Sequence, residues 1–222
     1  MKISKNIELQ LITLDLEELT HTEQVRQACE AGATWVQFRS KTLSFEQKLE
    51  ECIQIRAITK EYKCVFIVND SVTLAAKVKA DGVHLGQKDL HPMRARNTLG
   101  TKKKVGLTIN SLEQAQVLKK EISTKLTSVD YVGVGPFKAT TTKENHSEPL
   151  SIEDYKGICK ELEGIPAVGI GSVLATDISE LLSYGLSGVA VASGVFKGDI
   201  TQNLKTYLEV IKEEGLKLGS EN

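Results

Sequence analysis

The sequence predicts an α/β protein, a closed (β/α)8 TIM barrel that spans residues 1–222 as a single domain. Short apolar, β-branched segments alternate with helix-patterned segments eight times, which is typical of stacked βα units and a parallel sheet. The first strand candidate runs into LDLEELTHT, without the GxGxxG turn of an open dinucleotide-binding sheet. Glycines follow the seventh and eighth strand candidates instead, where barrels often bind a phosphate.

The predicted strands are short, and several are near-continuous apolar runs, as expected when both faces of a sheet are covered. They span residues 7–13, 35–39, 64–68, 82–85, 104–108, 130–135, 166–171 and 188–193. The chain has only four prolines and no glycine- or serine-rich linker, so no internal domain boundary is expected.

The segments between the strands carry a helical period, and their apolar stripes should pack outside the sheet. The stripes include Phe45, Leu49, Cys52 and Ile53 in one segment, and Leu204, Tyr207, Leu208 and Ile211 in another. Ser44 with Gln47, and Ser111 with Gln114, match the capping box and predict that helices begin there. The polar end, residues 215–222, is predicted to be a frayed tail.

Composition restricts the classes of function. The formal net charge is −1, so no global field would attract nucleic acid or an anionic membrane. The four cysteines have no metal-ligand spacing and are interpreted as reduced thiols. The start lacks the apolar run of a signal peptide, and no stretch is long enough to span a membrane, so a cytoplasmic protein is expected. The sequence carries no indication of an oligomeric state.

Polar and charged residues recur where the predicted strands end, which is the catalytic face of a barrel. In strand order they are Gln37, Phe38, Arg39, Ser40 and Lys41, then Asn69 and Asp70, then Asp89, then Thr108, and finally Thr140, Thr141, Thr142 and Lys143. Because all these ends lie on one side of a closed barrel, the sequence predicts one polar site there.

Arg39 and Lys41 alternate along a strand end, so both cations can face one polyanion such as a diphosphate. Solvated charges are the alternative. Asp70 and Asp89 follow adjacent strands and could share one Mg2+, which accepts one or two carboxylates plus waters and phosphate oxygens. Asp70 could equally be the N-cap of the next helix.

Other candidates remain open in their roles. His84 lies within a strand, where a hydrogen-bonded core role is favoured over that of a general base. Residues 139–143 offer hydroxyls and an ammonium in a loop able to cover a ligand, although a threonine-rich surface loop would look the same. Small residues after the last two strands would let backbone N–H groups approach a phosphate; they are Gly171, Ser172, Ser193 and Gly194.

In order along the chain, these segments resemble the thiamine-phosphate synthase family, also called thiamine-phosphate pyrophosphorylase. VQFRSK resembles VQLREK, and FIVNDSVTLAAKVKADGVHLGQKDL resembles IVNDRVDLALAVGADGVHLGQEDL. DYVGVGPFKATTTK resembles DYVGVGPIFPTPTK, while GIGSV and GVAVAS resemble GIGGI and GVAVVS. The resemblance extends from the second predicted strand to the eighth.

The resemblance implies a transferase that condenses 4-amino-2-methyl-5-hydroxymethylpyrimidine diphosphate with 4-methyl-5-(2-phosphoethyl)thiazole, or its carboxylated form. The products would be thiamine phosphate and pyrophosphate, formed through a carbocation-like state with Mg2+ on the leaving diphosphate. Carried over position by position, the pyrimidine diphosphate would be held by Gln37, Phe38, Arg39, Ser40, Lys41, Asn69, Thr108 and Lys143. The thiazole phosphate would be held by Thr140, Thr141, Thr142, Gly171, Ser172, Ala192 and Ser193. Asp70 and Asp89 would hold Mg2+, and Arg39, Lys41, Thr108 and Lys143 would act in catalysis.

The chain departs from the family pattern at four of these positions. Ser40 replaces Glu, Thr108 stands where Ser is usual, Thr141 replaces Pro, and Ser172 replaces the second Gly of a GG pair. A related thiazole tautomerase would lack the Mg2+ pair and need an acid or base near the site, whereas Thr108 is a poor acid or base at neutral pH. A noncatalytic sensor of thiamine precursors would use the same binding groups, so the sequence alone leaves it open.

Overall fold

A computed structural model of the protein describes residues 8–139 and 148–220. The eight strands form one closed parallel barrel in chain order, with β8 pairing to β1. They are β1 (Glu8–Ile12), β2 (Trp35–Phe38), β3 (Val65–Asn69), β4 (Gly82–Leu85), β5 (Lys104–Ile109), β6 (Tyr131–Val134), β7 (Ala167–Ile170) and β8 (Gly188–Val191). The predicted TIM barrel is therefore confirmed, and each predicted strand overlaps an observed one, with β3 and β5 ending one residue later than predicted.

Helices cover the outside of the barrel. They are α1 (His21–Glu30), α2 (Phe45–Glu61), α3 (Val72–Lys77), α4 (Pro92–Leu99), α5 (Leu112–Ser123), α6 (Ile152–Glu161), α7 (Ile178–Ser183), α8 (Ser193–Phe196) and α9 (Ile200–Ser220), with a 3-10 turn at Ala175–Asp177. A helix that could span a membrane is not found among the residues described.

The two predicted helix starts are confirmed, although they are capped differently. Ser44 and Gln47 exchange both hydrogen bonds of the capping box at α2. At α5 the Ser111 hydroxyl accepts a hydrogen bond from the N–H of Gln114. The Gln114 side chain, however, accepts from the N–H of Asn110 instead of that of Ser111. Both arrangements satisfy two N–H groups near the helix end.

The apolar stripes were predicted correctly for α9 but not for α2. Leu204 and Tyr207 are buried on α9. On α2, Phe45 and Ile53 are 40% and 57% exposed, so their half of the predicted stripe was wrong. The buried positions of α2 are Cys52, Ile55, Ile58 and Thr59. Ile55 lies three or four positions from each of the others, so all of them share one face of the helix.

The frayed tail was also predicted wrongly for residues 215–220, because α9 continues to Ser220. Lys217 and Glu214 lie one turn apart on this helix, and the ion pair between them contributes to local helix stability.

Alternate side chains of each strand fill two separate layers. The larger layer packs between the strands and the helices. The smaller one fills the barrel interior with Ile12, Trp35, Ile67, Tyr131, Val168 and Ala190. Since the interior is filled by side chains, ligands must bind at the end of the barrel rather than pass through it.

Candidate active site

The end of β2 presents alternate side chains to opposite sides of the sheet. Gln37 is 1% exposed and points into the barrel, where its Nε2 donates to Oε1 of Gln10 at 3.1 Å. Phe38 points outward, and its ring meets that of His21 edge-on at 4.8 Å between centroids. Arg39 follows Gln37 by two residues, so it leaves the strand on the inner side, at the barrel mouth. The outward side chain of Phe38 lies away from that mouth.

Ser40 and Lys41 continue from β2 into a loop that is fixed by hydrogen bonds. The Ser40 hydroxyl donates to Oδ1 of Asp15, and the Lys41 N–H donates to Oδ2 of the same carboxylate at 2.8 Å. Lys41 is exposed, so its ammonium is accessible to an anionic ligand. The Ser40 side chain is engaged with Asp15, on the side of the strand that Phe38 occupies.

A chain of hydrogen bonds crosses the barrel interior beneath the mouth. From Gln37 it continues through Nε2 of Gln10 to the Tyr131 hydroxyl at 3.2 Å, then to Nδ1 of His84 at 3.0 Å. Nε2 of His84 lies 2.9 Å from Oγ1 of Thr108. Five buried groups from five strands are thereby linked, which suits a polar network whose members are all satisfied.

The direction of these bonds follows from the groups available. Burial raises the pKa of Tyr131, so its hydroxyl stays protonated and can donate to Nδ1 of His84. A neutral His84 then carries its proton on Nε2 and donates to Thr108. The Thr108 O–H remains able to donate to a ligand. This geometry matches the hydrogen-bonded core role predicted for His84, which is 5% exposed.

Two interior glycines make room for this chain. A Cβ at Gly106 would lie 2.2 Å from Cζ of Tyr131 and 2.6 Å from Nδ1 of His84. A Cβ at Gly133 would lie 3.1 Å from Cε1 of His84. A side chain at Gly106 would collide with both rings, so packing requires glycine there, whereas at Gly133 the contact would be tight.

Asp70 follows β3 in a conformation that few residues adopt. Its φ is +60°, and its N–H donates to the carbonyl of His84 at 2.7 Å. The N-cap of α3 is Ser71, whose hydroxyl accepts from the N–H of Leu74. The alternative that Asp70 caps this helix was therefore wrong. Asp70 is exposed at the mouth, beside Asn69, whose register partner on β4 is His84.

Asp89 lies in the turn after β4. Its Oδ2 accepts from the N–H of Gly86 at 2.7 Å, and its own N–H donates back to the carbonyl of Gly86 at 3.2 Å. This turn neighbours the loop of Asp70, because β3 and β4 pair directly. Nε2 of Gln87 donates to the carbonyl of Thr108 at 2.6 Å and ties the turn to β5.

The donor set at this edge fits one hard cation. Asp70 and Asp89 supply exposed carboxylate oxygens from neighbouring loops, and Mg2+ prefers such ligands together with waters and phosphate oxygens. A cluster of three or more histidine, cysteine or acidic side chains able to hold a metal does not occur within residues 8–139 and 148–220. A two-carboxylate site would leave the remaining positions to water and substrate.

On the other side of the mouth, the loops after β6 and β7 are joined through their backbones. The N–H of Phe137 donates to the carbonyl of Ile170 at 2.8 Å, and that of Lys138 to the carbonyl of Gly171 at 3.1 Å. Gly171 has a φ of +110°, and a Cβ there would lie 2.7 Å from the backbone of residues 136–137. Only glycine fits such a close crossing.

Ser172 adopts a left-handed conformation without being glycine. Its φ is +49°, and its hydroxyl donates to the carbonyl of Ala139 at 3.0 Å. Lys138 forms an ion pair with Asp177 at 2.6 Å, and the same carboxylate accepts the N–H of Leu174. The Ser172 hydroxyl thus fixes the chain beside it.

Ala192 and Ser193 follow β8 at the start of the short helix α8. Ala192 is the N-cap residue and provides no side-chain cap. A Cβ at Gly194 would lie 2.2 Å from the hydroxyl of Tyr207, so the helix start packs closely on α9. The end of β8 offers backbone groups and the hydroxyl of Ser193.

The remaining predicted site residues, Thr140, Thr141, Thr142 and Lys143, lie outside the described residues. Ala139, the residue before them, is bonded to Ser172 as above. The chain therefore enters this segment directly beside the end of β7.

Sequence reasoning missed the residues that support the site from behind. They are Gln10 and Tyr131 inside the barrel, and Thr13, Asp15 and His21 behind β2. One available indication was Gln10, a polar residue in the middle of an otherwise apolar strand. Another indication was Gly106 inside β5, because a glycine within a strand often marks the close approach of other groups.

Comparison with known proteins shows the family to which the chain is similar. The family model described as thiamine monophosphate synthase matches residues 9–195. Thiamine-phosphate synthase of Pelotomaculum thermopropionicum is 40% identical over 196 residues, covering 88% of this chain and 87% of its own length. That of Bacteroides fragilis is 34% identical over 209 residues, covering 92% of this chain and 100% of its own.

A solved structure gives the same result. Thiamine phosphate pyrophosphorylase from Pyrococcus furiosus superposes with a TM-score of 0.79 at 29% identity, covering 94% of this chain and 98% of that one. The matched region contains all eight strands except the first residue of β1. On these similarities, this chain is a member of the thiamine monophosphate synthase family.

Proposed function

We propose that this transferase joins 4-amino-2-methyl-5-hydroxymethylpyrimidine diphosphate to 4-methyl-5-(2-phosphoethyl)thiazole, or to its carboxylated form with loss of CO2, and releases thiamine phosphate and pyrophosphate. One observation carries the proposal. A cation pair, Arg39 and Lys41, and a carboxylate pair, Asp70 and Asp89, lie on neighbouring strand ends of one barrel mouth. A diphosphate with a divalent cation needs both pairs at once.

The leaving diphosphate would bind at the β2 to β5 edge. Arg39 and Lys41 would neutralise its oxygens, and the O–H of Thr108 would donate to the same substrate from the end of the interior chain. Asn69 and Gln37 would hold the pyrimidine ring by hydrogen bonds, since amide groups can both donate and accept. Lys143 would contribute a further cation from outside the described residues.

Asp70 and Asp89 would hold Mg2+ at this edge. The ion would withdraw charge from the leaving diphosphate. Because Asp89 keeps one carboxylate oxygen outside its bond to Gly86, it can reach a ligand without disrupting its turn.

The reaction needs charge stabilisation more than acid or base catalysis. The bond between the pyrimidine methylene carbon and the diphosphate oxygen breaks, and both electrons stay with pyrophosphate. The thiazole nitrogen then gives its lone pair to that carbon, forming a thiazolium. No proton moves in these two steps, which agrees with a buried His84 and with the polar but weakly acidic group of Thr108.

The thiazole phosphate would bind at the opposite edge. Backbone N–H groups near Gly171, Ser172, Ala192 and Ser193 would receive the phosphate, since small residues allow close backbone approach. The hydroxyls of residues 140–142 would complete this pocket. With small-molecule substrates and a net charge of −1, we expect no nucleic-acid or membrane partner and a cytoplasmic location.

The test is a reconstituted reaction. Purified protein, both substrates and Mg2+ should yield thiamine phosphate and pyrophosphate in equal amounts, measured by fluorescence after oxidation to thiochrome and by a phosphate assay after pyrophosphatase. A parallel reaction in which excess chelator binds the Mg2+ should form no product. Absence of product while thiazole phosphate still binds would overturn the synthase proposal.

The same experiment separates the alternatives. A thiazole tautomerase would interconvert the carboxylated thiazole phosphate isomers without Mg2+ and without the pyrimidine substrate. A noncatalytic sensor would bind substrates in calorimetry and release no pyrophosphate.

A further inference from the structure

Behind the end of β2, a buried histidine joins the first helix to the strand preceding it. His21 begins α1 and is only 4% exposed. Its Nδ1 lies 2.8 Å from Oγ1 of Thr13, and its Nε2 lies 3.1 Å from Oδ1 of Asp15. The ring also packs edge-on against Phe38, so its position is set by helix, strand and core together.

These two partners of His21 hold three consecutive residues of the proposed diphosphate site. Oγ1 of Thr13 accepts the N–H of Arg39 at 3.0 Å. Asp15 accepts the Ser40 hydroxyl on Oδ1 and the Lys41 N–H on Oδ2. The backbone that carries both cations is therefore fixed from the outer side of the barrel.

The hydrogen bonds have one consistent direction. A carboxylate can only accept, so Nε2 of His21 must donate to Asp15. A neutral imidazole then accepts on Nδ1, and the Thr13 O–H donates to it at 2.8 Å, a shorter distance than the 3.5 Å to its other acceptor, the carbonyl of Arg39. Thr13 keeps its lone pairs for the N–H of Arg39. Burial lowers the pKa of His21, which favours this neutral form.

Asp15 is also prepared for this role. Burial raises the pKa of its carboxyl, but hydrogen bonds from Ser40, the Lys41 backbone, Thr42 and His21 more than offset this and lower it. Both oxygens are engaged by neutral donors, so Asp15 fixes the loop through hydrogen bonds rather than by pairing with an ammonium.

From this geometry we propose that Asp15 and His21 are positioning residues for diphosphate binding. They hold residues 39–41 so that Arg39 and Lys41 face one leaving group, while neither touches the substrate. The inference rests on the proposed function, and it adds the requirement that loop order, not only charge, sets affinity for the diphosphate. Preorganised cations lose less conformational freedom when the ligand binds.

The test variant is Asp15→Asn, which keeps the size and presents an NH2 group to donors that need an acceptor. The KM for the pyrimidine diphosphate and the Kd for Mg2+-pyrophosphate should each rise about 10-fold, as for lost supporting hydrogen bonds. The KM for thiazole phosphate should stay within about 2-fold. Calorimetry with Mg2+ and inorganic pyrophosphate gives the Kd without requiring turnover.

A matched control lies at the other end of the barrel. Asp81 precedes β4, accepts the N–H of Phe66 at 3.0 Å and pairs with Arg56 at 2.7 Å. Asp81→Asn should lower the melting temperature and leave both affinities unchanged. If Asp15→Asn fails to fold, Ser40→Ala removes one of the donors to Asp15 and should raise the same Kd about 3-fold.

The outcomes are distinguishable. Unchanged pyrophosphate affinity in the folded Asp15→Asn variant, or in Ser40→Ala, overturns the positioning role and leaves the proposed function intact. Equal losses of affinity for both substrates would indicate a general structural role and would also overturn the positioning role. A wild-type protein that binds no Mg2+-pyrophosphate would overturn the proposed function and this inference with it.

Discussion

The two edges of the barrel mouth are built in different ways. The β2 to β5 edge presents charged side chains, Arg39, Lys41, Asp70 and Asp89, on loops fixed by side-chain hydrogen bonds. The β7 to β8 edge presents small residues, and its loops are fixed by backbone hydrogen bonds such as that between Phe137 and Ile170.

The contrast continues below the mouth. Polar groups of β1, β2, β4, β5 and β6, from Gln37 to Thr108, form the hydrogen-bonded chain across the interior. Beneath β7 and β8 the interior is apolar, with Val168 and Ala190 in the interior cluster. On the proposed function, the side-chain charges of one edge would bind the diphosphate with its metal ion, and the backbone N–H groups of the other would bind the monophosphate.

The largest effect should follow from removing either carboxylate of the charged edge. Asp70→Asn and Asp89→Asn should each lower turnover about 100-fold at limiting Mg2+, as for loss of a group that stabilises the leaving charge. Asparagine tolerates the positive φ of Asp70 and can still accept the N–H of Gly86 at position 89. Steady-state kinetics across a Mg2+ titration measures the effect.

Thermal unfolding is the control for these variants and should change little. If both variants turned over as fast as wild type at limiting Mg2+, the metal would not be bound at this edge. The proposed difference between the two edges would then be lost.

A second prediction concerns the polar chain that underlies the charged edge. Gly106→Ala should destabilise the fold by about 3 kcal/mol, because its Cβ meets two buried rings that are held by hydrogen bonds. Gly133→Ala is the matched control with one looser contact and should cost about 1 kcal/mol. Urea unfolding of both variants measures the free energies. Equal costs would show that the rings can move aside and that the chain is not rigid.

The smallest effect is expected at the backbone-built edge. Ser172→Gly relieves a left-handed residue but loses the bond to Ala139, two effects of about 1 kcal/mol each that nearly cancel. Ser172→Ala loses the bond without relief and should cost about 1 kcal/mol. The KM for thiazole phosphate should stay within about 3-fold in both, since the N–H remains. A 10-fold rise in Ser172→Ala alone would show that the hydroxyl, not the backbone, binds the phosphate.

Sequence alone predicted the barrel and its strands, because these depend on local patterns repeated along the chain. It failed on half of the α2 stripe, since Phe45 and Ile53 are apolar yet exposed, and residue type alone does not say which side faces the barrel. It failed on the end of α9 because polar residues there still continue a helix.

Within the site, the position of residues along each strand predicted where the strand ends lie, but it also selected Phe38, whose ring packs on His21 away from the mouth. It did not predict which groups hold them, because Asp15 and Ser40 are 25 residues apart and meet only when β1 and β2 pair. The choice of Ser71 over Asp70 as the cap of α3 was likewise hidden, since both types cap helices and only the φ of Asp70 separates them.

The most direct test of the account is a crystal structure with Mn2+, pyrophosphate and thiazole phosphate bound, using the anomalous signal of Mn2+ to locate the metal. Mn2+ should lie between Asp70 and Asp89, pyrophosphate beside Arg39 and Lys41, and the thiazole phosphate at the ends of β7 and β8. Pyrophosphate at the β7 to β8 edge, or a metal site without either carboxylate, would contradict it.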